Sequence, residues 1–82
     1  LSDGGVLGGL SREVARSLTV QTVMGAATMA LDHKMSFSQL KDRITSPAGT
    51  TISGLKVLER SGVRGILMDT VEAARKRADE LM

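Results

Sequence analysis

Thirteen consecutive residues, Thr19 to Leu31 (TVQTVMGAATMAL), carry no charge. They lie within a longer stretch, residues 12–33, whose spacing predicts one helix. Ser11 is a favourable N-cap, and Glu13 suits the positive end of the helix dipole. Val14, Leu18, Gly25 and Met29 form one apolar stripe, and Val20, Met24, Ala27 and Leu31 form another. A helix apolar over most of its circumference must be buried on most sides. The chain has 82 residues, and a domain of this size buries only about 60% of its unfolded surface. It cannot surround such a helix alone. Gly25-Ala26-Ala27 and Ala30 would let another backbone approach closely. We therefore expect this helix to be buried against a second copy of the chain. The plainer alternative is the central helix of a small monomeric bundle.

The remaining pattern is also helical, with no period-two alternation long enough for a strand. Residues 36–44 (SFSQLKDRI) predict a short helix, with Ser36 and Gln39 spaced as a capping box and Phe37, Leu40 and Ile44 on one face. Residues 51–60 predict a third helix with Ile52, Leu55 and Leu58 inward. Gly62 stands where a left-handed residue ends a helix. From Val63 to the end a fourth helix carries Val63, Leu67, Val71, Ala74, Ala78 and Leu81 on one stripe, with Glu72 and Lys76 as an i,i+4 pair on the other side. Residues 1–10 hold four glycines, which disfavour a stable helix over the whole stretch. They read as the last turn of a preceding helix followed by a turn. The fold class is all-α: one domain over residues 1–82, a small bundle of about four helices intertwined with its twin.

Composition excludes several function classes. There is no cysteine, and the single histidine is His33, so a thiolate or histidine metal centre and a Ser-His-Asp triad find no support. His33 follows the first long helix and reads as a solvated residue. One Phe, no Tyr and no Trp leave no stacking platform for single-stranded nucleic acid. Eleven basic and nine acidic residues, net +2, are interspersed, which argues against a nucleic-acid partner. The apolar runs are too short and interrupted for a membrane span, and no signal-peptide pattern is present. We expect a cytoplasmic protein without a membrane partner. The first residue is not Met and the last ones still read as helix, so we also expect a piece of a longer protein.

The site-like segment is TSPAGTTISGL, residues 45–55. It holds the only proline and no charge. Pro47 biases Ser46 away from the helical region and ends the preceding helix near Thr45. Ala48-Gly49 makes a turn, and Thr50 or Thr51 is expected to cap the next helix. The first N–H groups of that helix lack intrahelical acceptors, and the dipole adds partial positive charge. Ser46, Thr50 and Thr51 surround the spot with hydroxyls. With no Lys or Arg, it suits a small carboxylate better than a polyphosphate. The bland reading is a capped connector that binds nothing. A phosphate loop at Gly4-Gly5 or Gly8-Gly9 fits neither glycine fingerprint. A helix-turn-helix across Ser61-Gly62 is weakened by its basic cluster, Arg75-Lys76-Arg77, lying towards the C-terminal end among acids.

The stretch DRITSPAGTTISGLKVLERSGVRGILMDTVEAARKRADEL closely resembles the C-terminal signature of the pyrroline-5-carboxylate reductase family, which has the form Ser-Pro-Gly-Gly-Thr-Thr-Ile-x-Gly-Leu-x-x-Leu-Glu. GLSREVARSLTVQTVMGAATMAL resembles the helix before it, and LSDGGVLGGL is similar to the end of the helix that opens that domain. The resemblance implies an enzyme that reduces 1-pyrroline-5-carboxylate to L-proline with NADPH or NADH. It implies a Rossmann domain, absent from this chain, that binds the cofactor. It implies a helical homodimer, with higher oligomers such as a decamer. Carried over residue by residue, Ser46, Gly49 and Thr50 would hold the substrate carboxylate, and Thr51 would act catalytically by hydrogen-bonding the ring nitrogen. Ala48 departs from the family's glycine. If that position needs φ > 0, alanine costs about 1 kcal/mol. This chain alone is expected to be inactive. A stand-alone dimerisation module without activity is the alternative.

Overall fold

The computed structural model describes residues 1–82. It contains five α-helices and no strand: α1 (Ser2–Leu7), α2 (Arg12–Asp32), α3 (Phe37–Ile44), α4 (Thr50–Arg60) and α5 (Val63–Glu80). They divide into two units, Leu1–Asp42 and Arg43–Met82. No helix is long and apolar enough to cross a membrane.

In the first unit α1 packs against α2. The glycine-rich start is helix followed by a turn, as its sequence predicts, and counting this short helix makes five. A tertiary contact places it. A Cβ on Gly5 would lie 3.1 Å from Ala15 Cβ and 3.4 Å from Leu10 Cδ1. Glycine thus lets α1 approach α2 directly over Ala15, which is only 2% exposed. Gly9, at φ 110, then turns the chain into α2. Asp3 and Arg12 pair at 2.6 Å, but both side chains are largely solvated, so the pair contributes little.

The cap of α2 is as expected: Val14 N–H donates to Ser11 Oγ at 3.2 Å. The helix runs 21 residues, about 31 Å at 1.5 Å per residue. Ala15 is its one buried side chain. Val20, Val23 and Met24 remain 59%, 55% and 54% exposed. The capping box of α3 is present in both directions. Gln39 N–H donates to Ser36 Oγ at 3.2 Å, and Ser36 N–H donates to Gln39 Oε1 at 2.9 Å. Of its predicted face, only Leu40 is buried; Phe37 and Ile44 are exposed.

In the second unit α4 packs against α5. Gly62, at φ 74, is the left-handed residue between them. Ser61 N–H still bonds Val57 O, and Gly62 N–H bonds Glu59 O. Glu59 and Arg64 pair at 2.8 Å across the turn. Along α5, Lys76 pairs with Glu72 at 2.9 Å, Arg77 with Glu80 at 2.9 Å and Arg75 with Asp79 at 3.5 Å. The basic cluster is therefore a solvated, acid-paired helix face. The expected inward residues of α4 fare unevenly: Leu55 is half-buried, whereas Ile52 and Leu58 are exposed.

Burial is the feature that matters for function. The chain exposes 7157 Å², against about 4,700 Å² for a folded monomer of its mass. Ala15 and Leu40 are the whole buried apolar core. The apolar stripes exist, but within one chain most of them meet no partner.

The α3 cap gives a direct check of local stability. Ser36→Ala removes one bond of the box and leaves the Gln39 N–H unsatisfied. It should lower the unfolding free energy by about 1 kcal/mol, whereas Ser36→Asp, another good cap, should stay close to the parent. Denaturant titrations at one fixed protein concentration measure both.

Candidate functional site: the Ser46–Thr51 turn

Residues 45–49 form the junction that precedes α4 and residues 50–55 are its first half, inside the second unit. Gly49 N–H donates to Ser46 O at 3.1 Å, which closes a four-residue turn over Ser46, Pro47, Ala48 and Gly49. Pro47 has its φ set near −65° by its ring. Ala48 follows at φ 57, and it is the only non-glycine residue with a positive φ. Proline at the second position and a left-handed third residue define a type II turn. Glycine normally occupies that third place because a side chain in the left-handed region costs about 1–2 kcal/mol. The position does need φ > 0, so the departure at Ala48 is a real one.

Gly49 is needed for a different reason. Its φ of −77° and ψ of 176° are open to any residue. A Cβ there would overlap the Ser46 hydroxyl and crowd Ser46 O at 3.2 Å. Glycine at 49 thus preserves both the position of Ser46 Oγ and the closing hydrogen bond.

The cap of α4 differs from expectation. The helix begins at Thr50, and Gly49 rather than either threonine is its N-cap, with no side-chain bond to the first turn. The turn pulls Gly49 into the capping position, leaving Thr50 and Thr51 within the first turn. The hydroxyl that engages the backbone is that of Ser53, which donates to Gly49 O at 3.0 Å, alongside Ser53 N–H at 3.3 Å. Ser53 carried no signal in the sequence pattern beyond its place four residues after Gly49. Because no side chain caps the helix, the Thr50, Thr51 and Ile52 N–H groups have no intrahelical acceptor.

Ser46, Gly49, Thr50 and Thr51 are therefore gathered within one turn and the first residues of one helix. Ser46 and Thr50 are exposed, and Gly49 and Thr51 are half-buried. No charged side chain belongs to the turn. The arrangement presents hydroxyls and outward-facing amides without a cation, which suits a small anion with acceptor oxygens and a neutral polar group beside it. Grooves occur elsewhere: one on α5 is lined by Leu67, Met68 and Val71 with Glu72 and Arg75, and one on α2 by Leu18 and Val20 among Glu13, Arg16, Ser17 and Gln21. Neither includes a residue of the turn. No group of three or more His, Cys, Asp or Glu is placed to hold a metal ion.

Known proteins match this chain along its length. The family described as pyrroline-5-carboxylate reductase dimerisation matches residues 1–81. A pyrroline-5-carboxylate reductase of Pisum sativum is 56% identical over 81 residues, covering 99% of this chain and 30% of its own. The structure of a pyrroline-5-carboxylate reductase from Coxiella burnetii superposes with a TM-score of 0.92 at 44% identity, covering 99% of this chain and 30% of that one. The pyrroline carboxylate reductase of Plasmodium falciparum, solved with NADP bound, gives 0.89 at 42% identity, covering 94% of this chain and 31% of that one. The chain thus spans about 30% of the length of the curated relatives it matches. With five helices, no strand and a match from end to end, the chain belongs to the pyrroline-5-carboxylate reductase dimerisation family.

Proposed function

We propose that this chain is the dimerisation and substrate-loop domain of an enzyme that reduces 1-pyrroline-5-carboxylate to L-proline with NADPH or NADH. The observation that carries the reading is the family match over residues 1–81, which takes in the whole Ser46–Thr51 turn. The relatives' names supply the reaction, and the NADP in the Plasmodium structure supports a nicotinamide cofactor.

The residues of this chain do not fit the cofactor itself. A dinucleotide seat needs a strand, a glycine-rich turn and a helix start in succession, and the five helices offer no strand. The cofactor would be held by a Rossmann domain of the longer protein, and it would supply the hydride. The task of this chain is orientation. In our reading the Ser46 and Thr50 hydroxyls and the unbonded amides at the start of α4, from Thr50 onward, donate to the substrate carboxylate, while Gly49, its own N–H closing the turn onto Ser46 O, holds these donors in place. Thr51 Oγ1 hydrogen-bonds the ring nitrogen and stays beside it as that nitrogen gains hydrogen. Fixed neutral donors need no titration to do this, and holding a planar ring in register accounts for several kcal/mol of a barrier.

The second role is assembly. The exposed Val20, Val23 and Met24 of α2 and the family's description support a homodimer built on this helix. Further association of such dimers, five of them making a decamer, belongs to the same proposal, as does a cytoplasmic protein with neither nucleic acid nor membrane as partner.

Two measurements check the two roles separately. In the full-length enzyme Thr51→Ala should lower kcat/KM about tenfold to a hundredfold, the cost of about 1.5–3 kcal/mol for a lost hydrogen bond to a polar reacting group, with the dimer intact by sedimentation. An unchanged kcat/KM removes Thr51 from the site. Val20→Asp places a charge on α2 and should shift the dimer to monomer and aggregate at micromolar concentration. A variant that remains dimeric removes α2 from the interface.

A further inference from the structure

The turn before α4 is strained at one residue, and the strain has an obvious release. Type I and type II turns share the same corner residues, the same proline φ and the same closing hydrogen bond. They differ by rotation of one peptide plane, here the one between Pro47 and Ala48. Type II places Ala48 at positive φ, as observed at 57°; type I would place it near −90°. The rotation leaves the path of the chain and the Gly49 N–H to Ser46 O bond of 3.1 Å in place. For an L-residue the left-handed alternative is disfavoured by about fivefold to thirtyfold. Glycine at 48 would carry no such bias.

The two forms face a ligand differently. Rotating the peptide exchanges the directions of the Ala48 N–H and the Pro47 carbonyl. A carboxylate beside the turn meets a donor in one form and an acceptor in the other. That is the differential affinity a ligand needs in order to shift a two-state element. Pro47, which fixes one corner, and Gly49, whose missing Cβ admits the Ser46 hydroxyl and carbonyl, fit both forms, so the balance between them falls to residue 48.

We propose that Ala48 makes the Ser46–Gly49 turn a peptide-flip switch, with type II the form that receives the substrate carboxylate, type I its competitor, and residue 48 setting the balance between them. The proposal rests on the carboxylate-seat reading above and assigns Ala48 the role of a positioning residue. It acts through the backbone and lowers the affinity the seat would otherwise have.

The test uses the full-length enzyme. Ala48→Gly should lower KM for 1-pyrroline-5-carboxylate about fivefold and tighten L-proline by the same factor, with kcat unchanged, because the seat is equally improved for ground and transition states. Ala48→Val, whose branched side chain is least tolerant of positive φ, should raise KM about tenfold with kcat unchanged. Crystal structures of the parent enzyme with and without L-proline should show residue 48 at positive φ only, or more fully, when the ligand is bound. Values of KM within twofold of the parent in both variants, with turnover intact, overturn the switch alone. Failure of the parent and of Ala48→Gly alike to bind L-proline or turn over the imine overturns the seat, and the switch with it.

Discussion

A helix with apolar side chains on most of its faces must be covered, and one copy of this chain does not cover it. That constraint organises the molecule. Only Ala15 of α2 is buried, where Gly5 lets α1 lie against it. The excess of exposed surface over a folded monomer of the same mass is about 2,400 Å² per protomer. Two protomers burying such an area would form an interface of the size found in obligate homodimers rather than transient pairs. In a dimer of that kind folding and association would be one equilibrium, and stability would depend on protomer concentration.

How far the sequence could be read depended on whether a feature was local. The limits of α2, the Ser11 cap, the Ser36–Gln39 box, left-handed Gly62 and the Glu72–Lys76 pair all rest on residues within four positions of one another, and each is found where the spacing puts it. The features the sequence could not show are those decided at a distance. The start reads as helix followed by a turn, and that is what forms, but nothing local says that Gly5 lies against Ala15, ten positions away in the chain. Ile52 and Leu58 read as core because periodicity reports which face is apolar, not what covers it. The candidate site was legible as a place but not in its cap. Thr50 and Thr51 are good N-cap residues by type; the Ser46–Gly49 turn assigns that position to Gly49 instead.

The same turn shows three neighbouring residues performing three separable tasks. Pro47 ends α3 and fixes one dihedral angle. Gly49 supplies space, since any side chain would displace the Ser46 hydroxyl. Ala48 is the one whose chemistry opposes its conformation. Only at 48 does the backbone itself call for glycine, so the substitution alters an energy without removing a donor or filling the space beside Ser46. A residue of this kind can vary while the seat's geometry is retained.

The absence of charge in the proposed carboxylate seat follows from the same reasoning. A lysine or arginine in the turn would bind a carboxylate more strongly, but as a mobile cation with many side-chain conformers. Amides at a helix start are fixed by the helix, and hydroxyls of Ser46, Thr50 and Thr51 reach only a short distance from the backbone that carries them. Such donors add less affinity and more orientation. On the proposed function, where a small ring would present one face to a cofactor on another domain, orientation is the scarcer quantity.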